Sequence, residues 1–169
     1  MKKVTFGNTA EQKELDMGPL ISGAALQRVE EKVAKAVSQG AKVLLGGKRH
    51  GDIGFFYQPT VLVDVKQDMP IMHEEVFGPV LPVATFKTLD EAIAMANDSE
   101  YGLTSSIYTS NINTAMKALK QLKFGETYIN RENFEAMQGF HAGWRKSGVG
   151  GADGKHGLQE YLQTHVAYL

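Results

Sequence analysis

The sequence predicts an α/β fold with a mostly parallel sheet flanked by helices. Short stretches rich in Val, Ile and Leu alternate along the chain with segments whose apolar residues repeat at helical spacing. Strands joined through a helix pair in parallel and are covered on both faces. Hydrophobic residues make up 43% of the 169 residues, so a chain of this length can bury a sizeable core.

The first half of the chain predicts one long helix followed by two extended segments. "SGAALQRVEEKVAKAVSQG" has Ser22 as a helix cap and Gly40 as a stop. Its apolar side chains recur every three or four residues, at Leu26, Val29, Val33 and Val37. "AKVLLGG" then predicts a short buried strand. "GFFYQPTVLVDV" predicts a second extended segment, in which Pro59 favours an edge position or a strand start.

The second half repeats the alternation of strand and helix. "VLPVATF", "SSIYTS" and "ETYIN" predict strands. "TLDEAIAMAND" predicts a helix with a capping box formed by Thr88 and Glu91, and with apolar residues at Ala92, Ile93 and Ala96. "NINTAMKALKQLKFG" predicts a helix capped by Asn111, whose apolar side carries Ile112, Met116, Leu119 and Leu122.

The end of the chain differs from the rest. Between residues 131 and 157 the periodicity fades, and glycines, aromatic residues and charges predominate. A long irregular segment inside a compact domain is usually functional. "LQEYLQTHVAYL" follows, and its alternation at Tyr161, Gln163, His165 and Ala167 predicts a closing strand.

Composition and charge exclude several classes of function. The net charge is −1, so nothing favours a nucleic acid or an anionic membrane as a partner. No apolar run approaches the roughly 20 residues that span a bilayer. "MKKVTFGNTAEQKEL" lacks the apolar centre of a signal peptide, and we expect a cytoplasmic protein. Cysteine is absent, which excludes disulfides, zinc–thiolate sites and a cysteine nucleophile within this chain.

Two short motifs suggest sites that their spacing does not support. His73 and Glu74 could begin a zinc-protease helix, but residue 77 is Phe where the second histidine belongs. "SGVGGADG" suggests a dinucleotide-binding loop, but Asp153 replaces the third glycine and no apolar strand precedes it. The sequence therefore predicts no metal site, and a flexible loop at residues 147–154.

Polar residues near bends remain open to two interpretations. His141 is either a pocket residue or a structural histidine. Glu132 and Glu135 are either a carboxylate pair or solvated loop residues. Glu74 and Glu75 precede Phe-Gly-Pro, and they either end a helix or belong to a ligand-holding bend. Acids are disfavoured at a helix C-terminus, whereas a carboxylate and an aromatic ring on a bend suit a sugar hydroxyl and a flat ring.

A whole-chain resemblance to a known family adds to these observations. "EEVFGPVLPV" resembles the E-x-F-G-P motif of NAD(P)-dependent aldehyde dehydrogenases. Other segments resemble that family in the same order: "MGPLI", "GGKRHGDIGFFYQPTVLVDV", "ANDSEYGLTSSIYTSN" and "FGETYIN". Residues 130–169 resemble its lactaldehyde and glycolaldehyde dehydrogenase branch. The resemblance implies that residues 1–157 are part of a catalytic domain, and that residues 158–169 form a helix end and an oligomerisation strand.

The resemblance also implies roles for individual residues. Glu75 would hydrogen-bond the nicotinamide ribose of NAD, and Phe77 would pack beside the nicotinamide ring, as half of a cofactor clamp. Phe134, Glu135 and His141 would line the entrance for a small hydroxylated aldehyde. Residues 161–169 would add a strand to the sheet of a neighbouring copy, giving a homo-oligomer.

Two functional hypotheses follow from the resemblance. In the family, a cysteine nucleophile and a glutamate base lie upstream of the segments matched here, so this chain contains no catalytic residue. The first hypothesis is therefore that the chain is part of an NAD-dependent dehydrogenase of small hydroxyaldehydes and is inactive alone. The second is that the chain is a non-catalytic interaction module that assembles through its terminal strand.

Overall fold

The computed structural model describes residues 1–169, and the contacts divide the chain into two units, Met1–Thr85 and Phe86–Leu169. The first unit contains, in order, helix α1 (Gly23–Ser38), strands β1 (Lys42–Leu45) and β2 (Thr60–Val63), a short 3₁₀ helix (Pro70–Met72) and strand β3 (Val80–Pro82). The second contains α2 (Leu89–Asn97), β4 (Tyr101–Gly102), β5 (Thr104–Ile107), α3 (Ile112–Gln121), β6 (Glu126–Ile129), β7 (His141–Ala142), β8 (Trp144–Arg145), β9 (Gly151–Ala152) and α4 (Gly154–Glu160).

Helix α1 provides one side of the core of the first unit. The Ser22 hydroxyl caps the helix by accepting a hydrogen bond from the Ala25 amide, which confirms the predicted start. The predicted face is confirmed except at Val37, which is exposed, because Ala36 takes the last buried position. The core against which α1 packs also contains Ala41, Tyr57, Leu62, Val65, Met69 and Ile71.

The predicted single, mostly parallel sheet is not confirmed. The strands form four small sheets, in which β1–β2, β4–β8 and β7–β9 pair antiparallel, while β2–β3 and β5–β6 pair in parallel. The prediction holds for β5 and β6, which α3 connects. It fails for β1 and β2, because a loop rather than a helix connects them and allows antiparallel pairing. The burial predicted for β1 is also wrong, since Val43 and Leu44 are exposed.

Helices α2 and α3 of the second unit begin at their predicted caps. The Thr88 hydroxyl accepts a hydrogen bond from the Glu91 amide, and the Glu91 carboxylate accepts one from the Lys87 amide. These reciprocal bonds satisfy two backbone amides at the start of α2. The Asn111 side chain accepts from two amides at the start of α3. The predicted apolar side of α3 is nevertheless largely solvent-facing, and Ala115 and Ala118 are its buried residues instead.

The last forty residues are more ordered than their composition predicted. The segment 131–157 contains β7, β8, β9 and the start of α4, so the predicted flexible loop at residues 147–154 includes a strand. Residues 161–169 form no strand within this chain and are exposed. A strand requires a hydrogen-bonded neighbour, so the predicted intermolecular strand is not tested by a single chain. None of the helices is long and apolar enough to cross a membrane.

Candidate functional site

The bend that carries Glu75 and Phe77 is anchored to the core of the first unit on both sides. The buried Ile71 lies before it, and the half-buried Val76 packs against the same core. After it, the Thr60 amide donates to the carbonyl of Pro79, and this bond leads into the pairing of β3 with β2. The bend is therefore a fixed connection between the 3₁₀ helix and β3. The interpretation of Glu74 and Glu75 as a helix end is only partly correct, because the helix before them is a short 3₁₀ helix that already ends at Met72.

Gly78 brings the bend close to helix α1. A Cβ atom at this position would lie 2.6 Å from Cγ2 of Val29, which is itself buried. Such a separation is too short for two carbon atoms. The absence of a side chain at Gly78 thus sets how closely the bend approaches the helix.

Lys32 of α1 fixes the acidic part of the same bend. Its Nζ donates to Oε2 of Glu74 at 2.9 Å and to the backbone carbonyl of Glu75 at 3.0 Å. The hydrogen bond and charge of Lys32 lower the pKa of Glu74. One cation therefore neutralises Glu74 and holds the backbone of Glu75 at the same time.

The side chains of Glu75 and Phe77 are left facing solvent. The Glu75 carboxylate is exposed and takes part in none of the chain's hydrogen bonds or ion pairs. The Phe77 ring is 75% exposed, and its backbone has a φ of 52°. A bulky side chain in this region costs on the order of 1–3 kcal/mol and points to a functional constraint. The bend therefore presents a free hydrogen-bond acceptor next to a flat apolar ring.

A second polar group surrounds His141 in the other unit. Nδ1 of His141 lies 3.0 Å from Oε1 of Glu126, and the Tyr128 hydroxyl donates to Oε2 of the same carboxylate at 2.6 Å. The side chains of His141 and Glu126 are 31% and 14% exposed. Both carboxylate oxygens are thus occupied, one by a phenol and the other by an imidazole.

These contacts change the acidity of all three groups. Burial raises the pKa of Glu126, but the hydrogen bonds from Tyr128 and His141 outweigh it and lower that pKa overall. The hydrogen bond to Glu126 raises the pKa of His141, against partial burial. The same carboxylate raises the pKa of Tyr128 to about 12. At neutral pH the carboxylate is therefore ionised and the phenol keeps its proton.

Phe134 and Glu135 lie on an exposed loop between β6 and β7. Phe134 is 70% exposed, and its carbonyl accepts a hydrogen bond from the Arg131 guanidinium at 2.7 Å. Asn133 ties the loop to β5 by donating to the Thr104 hydroxyl at 2.7 Å. The negative charge of Glu135 helps to raise the pKa of His141, after the larger effect of the hydrogen bond to Glu126.

The predicted residues thus fall into two groups, one in each unit. Glu75 and Phe77 share the anchored bend, and Phe134, Glu135 and His141 share the end of the second unit. Sequence reasoning missed Glu126 and Tyr128. Their signal was the alternation in "ETYIN", because residues two apart on a strand point to the same face. No cluster of three or more His, Asp or Glu side chains is placed to hold a metal ion.

Comparison with known proteins identifies the family. The sequence pattern of the aldehyde dehydrogenase family matches residues 1–167. The chain belongs to the aldehyde dehydrogenase family. This agrees with the E-x-F-G-P resemblance and covers both units.

Individual aldehyde dehydrogenases match all or nearly all of this chain. Lactaldehyde dehydrogenase of Escherichia coli is 71% identical over 169 residues, which are 100% of this chain and 35% of that protein. A crystal structure of the E. coli enzyme superposes with a TM-score of 0.96 over 100% of this chain and 35% of that one. A structure of betaine aldehyde dehydrogenase from Staphylococcus aureus, in complex with NAD+, has 38% identity and a TM-score of 0.87 over 95% of this chain and 32% of that one. The chain therefore spans about a third of the length of these aldehyde dehydrogenases.

Proposed function

We propose that this chain is part of an NAD-dependent aldehyde dehydrogenase that oxidises small hydroxyaldehydes, such as lactaldehyde and glycolaldehyde, to carboxylic acids. The observation that carries the proposal is the 71% identity to E. coli lactaldehyde dehydrogenase over the full 169 residues. The histidine that the resemblance assigns to the substrate entrance is present as His141, with a carboxylate partner.

The bend at residues 74–78 fits one side of a nicotinamide riboside. The unpaired Glu75 carboxylate can accept hydrogen bonds from ribose hydroxyls, and the exposed Phe77 ring can pack beside a flat heterocycle. Bound NAD would accept the hydride removed from the aldehyde carbon. The task of these residues is to orient the cofactor, while Lys32 holds their backbone in place.

The group around His141 fits the substrate side. A buried polar group that pairs with a substrate hydroxyl discriminates strongly against an analogue that lacks it. Nε2 of His141 makes none of the chain's hydrogen bonds and is free to meet such a hydroxyl. Phe134 and Glu135 supply an apolar surface and a negative charge on the neighbouring loop.

The chain by itself is proposed to be catalytically incomplete. It contains no cysteine, whereas the family's reaction begins with thiolate attack on the aldehyde. Glu75 and Phe77 also form only half of a clamp, so we expect weak NAD binding by the isolated chain. We also propose a cytoplasmic location for the protein.

A chimeric enzyme tests this proposal. The present chain would replace the matching third of E. coli lactaldehyde dehydrogenase, and NADH formation would be followed with lactaldehyde and glycolaldehyde. We expect turnover by the chimera and none by the isolated chain, with circular dichroism confirming that each is folded. Turnover by the chain alone would contradict the proposed incompleteness. A folded chimera that is inactive on both aldehydes would contradict the proposed substrate class.

We further propose that the protein forms a homo-oligomer through residues 161–169. This segment carries the exposed apolar side chains of Tyr161, Leu162, Val166, Tyr168 and Leu169. Its backbone has no strand partner within the chain. Pairing with the sheet of a second copy would satisfy the backbone and cover these side chains.

A further inference from the structure

The carboxylate of Glu126 is placed to control which ring nitrogen of His141 carries the proton. It lies on β6, where Tyr128 is on the same face two residues later, and both of its oxygens are engaged. We propose that Glu126 is a positioning residue, which keeps a proton on Nδ1 of His141 and leaves Nε2 as the nitrogen presented to the substrate hydroxyl. The inference rests on the function proposed above and names a residue that acts through His141.

The backbone around His141 makes this placement rigid. Strand β7 pairs with β9, with His141 opposite Ala152 and Ala142 opposite Gly151. A Cβ atom at Gly151 would lie 2.4 Å from the carbonyl oxygen of His141, so only glycine allows the two strands to approach this closely. The imidazole is therefore fixed by its backbone on one side and by the Glu126 carboxylate on the other.

The protonation states decide which atom donates. An ionised carboxylate is only an acceptor, so Tyr128 must donate to one oxygen and Nδ1 of His141 to the other. The tautomer of a neutral histidine is set by the hydrogen bond of one ring nitrogen, and here that bond assigns the lone pair to Nε2. Neutral His141 can then accept a hydrogen bond from a substrate hydroxyl.

The charges that act on His141 are all negative. Glu126 acts from β6, Glu135 from the loop before β7, and Asp153 from the turn before α4. Among them only Glu126 makes a hydrogen bond to the ring. Removing the charge of Glu126 should therefore lower the pKa of His141 more than removing either other charge. With Glu126 replaced, Glu135 and Asp153 should still raise that pKa, but less.

NMR titration of the 169-residue chain tests the positioning role without any need for activity. Nitrogen chemical shifts of the imidazoles report the pKa and the tautomer of each histidine, and His141→Gln identifies the relevant signal. The variants are Glu126→Gln, which removes the charge, Glu126→Ala, which also removes the acceptor, and Tyr128→Phe, which removes one hydrogen bond to the same carboxylate. The other histidines, His50, His73, His156 and His165, serve as internal controls for folding.

We expect His141 of the unsubstituted chain to titrate above its ordinary pKa of 6.5 and to carry its neutral proton on Nδ1. Glu126→Gln should lower that pKa, and Glu126→Ala should also shift the proton towards Nε2. Tyr128→Phe should keep the raised pKa, because the charge remains. The proposal is overturned if the neutral proton resides on Nε2 in the unsubstituted chain. It is equally overturned if Tyr128→Phe lowers the pKa as much as Glu126→Gln does.

The chimera then tests whether the positioned imidazole of His141 binds the hydroxyl group of the substrate. Glu126→Ala, which removes the acceptor for Nδ1, should raise KM for lactaldehyde roughly tenfold, as expected for loss of about one hydrogen bond to a substrate group. The rise in KM for propanal, which lacks the hydroxyl, should be several-fold smaller. An equal effect on both aldehydes would assign Glu126 a merely structural role and overturn the inference. An inactive parent chimera would instead count against the proposed function, and the NMR titration would still decide the positioning of His141.

Discussion

Two adjacent carboxylates, Glu74 and Glu75, have different surroundings and provide a matched pair of variants. Glu75 is unpaired, whereas Glu74 is bound by Lys32. In the chimera, Glu75→Gln should raise KM for NAD about tenfold, because a charge-assisted hydrogen bond to a ribose hydroxyl is weakened. Glu74→Gln should change it less than about twofold, because an exposed ion pair contributes little. Steady-state kinetics with varied NAD measures both, and equal effects would remove Glu75 from the cofactor site.

The Glu126–His141 pair predicts a pH dependence of stability. The pKa of Glu126 is lowered by folding, so its contribution is present above its ordinary value of 4.5 and is lost as pH falls through the folded pKa. The pKa of His141 is raised, so its contribution is present below 6.5 and is lost as pH rises through the folded pKa. The pair therefore stabilises most between about pH 4.5 and 6.5.

We expect Glu126→Gln to reduce the free energy of unfolding by on the order of 1 kcal/mol more at pH 5.5 than at pH 9. Urea unfolding at the two pH values measures the difference. Glu100→Gln is the control, because Glu100 pairs with Lys146, which stays charged at both pH values. A similar dependence on pH in both variants would show that the effect does not come from His141.

At the scale of single residues, the sequence singled out His141 as a candidate but did not predict its contact with Glu126. The histidine stands out in a polar-aromatic segment, and the family resemblance supports it. Glu126 and Tyr128 lie in a short strand whose pattern predicts only secondary structure. Glu126 and His141 are 15 residues apart, and their contact depends on where β7 is placed by its pairing with β9. A strand pattern does not encode the strand's partner.

At the scale of elements, the sequence predicted the starts of helices better than the pairing of strands. The caps at Ser22, Thr88 and Asn111 are local, since each side chain bonds an amide two or three residues later. Pairing is decided by the connection between strands, and the parallel prediction was correct only where a helix or a crossing segment joins them. The fit between the bend at Gly78 and helix α1 could not be predicted at all, because it joins residues about fifty positions apart.

Gly78→Ala tests how closely the bend must approach helix α1. The new methyl group would lie 2.6 Å from Val29, so either the bend or the helix must move. We expect a loss of roughly 1–3 kcal/mol in the free energy of unfolding, as for overpacking of a core. Gly148→Ala is the control, since its nearest contact would be an ordinary 3.6 Å.

A double variant separates the steric contact from other effects of the alanine. Val29→Ala removes the methyl groups that Gly78→Ala would strike, at the cost of a cavity in the core. Gly78→Ala should therefore cost less in the Val29→Ala background than in the unsubstituted chain. Strictly additive free energies of unfolding from urea titration would show that the close approach does not determine the position of the bend.

At the scale of the whole molecule, the exposed apolar residues are the feature that composition did not reveal. The apolar face predicted for α1 is buried except at Val37, whereas Ile112, Met116 and Leu119 on the face predicted for α3 are exposed. Exposed apolar surface favours association. The chain spans about a third of its relatives' length, which agrees with the proposal that it is part of a larger enzyme.

We predict that the C-terminal segment, residues 161–169, is required for assembly of the homo-oligomer. If residues 161–169 add a strand to another copy, their backbone amides must donate to that sheet. Val166→Pro removes one amide and should reduce the population of the oligomer about tenfold or more, whereas Val166→Thr keeps the amide and the β-branched shape and should have little effect. Sedimentation velocity over a range of concentrations measures the assembly. Deleting residues 161–169 should give the same result as the proline. If association persists after the deletion, the exposed helix faces and not the terminal strand hold the copies together.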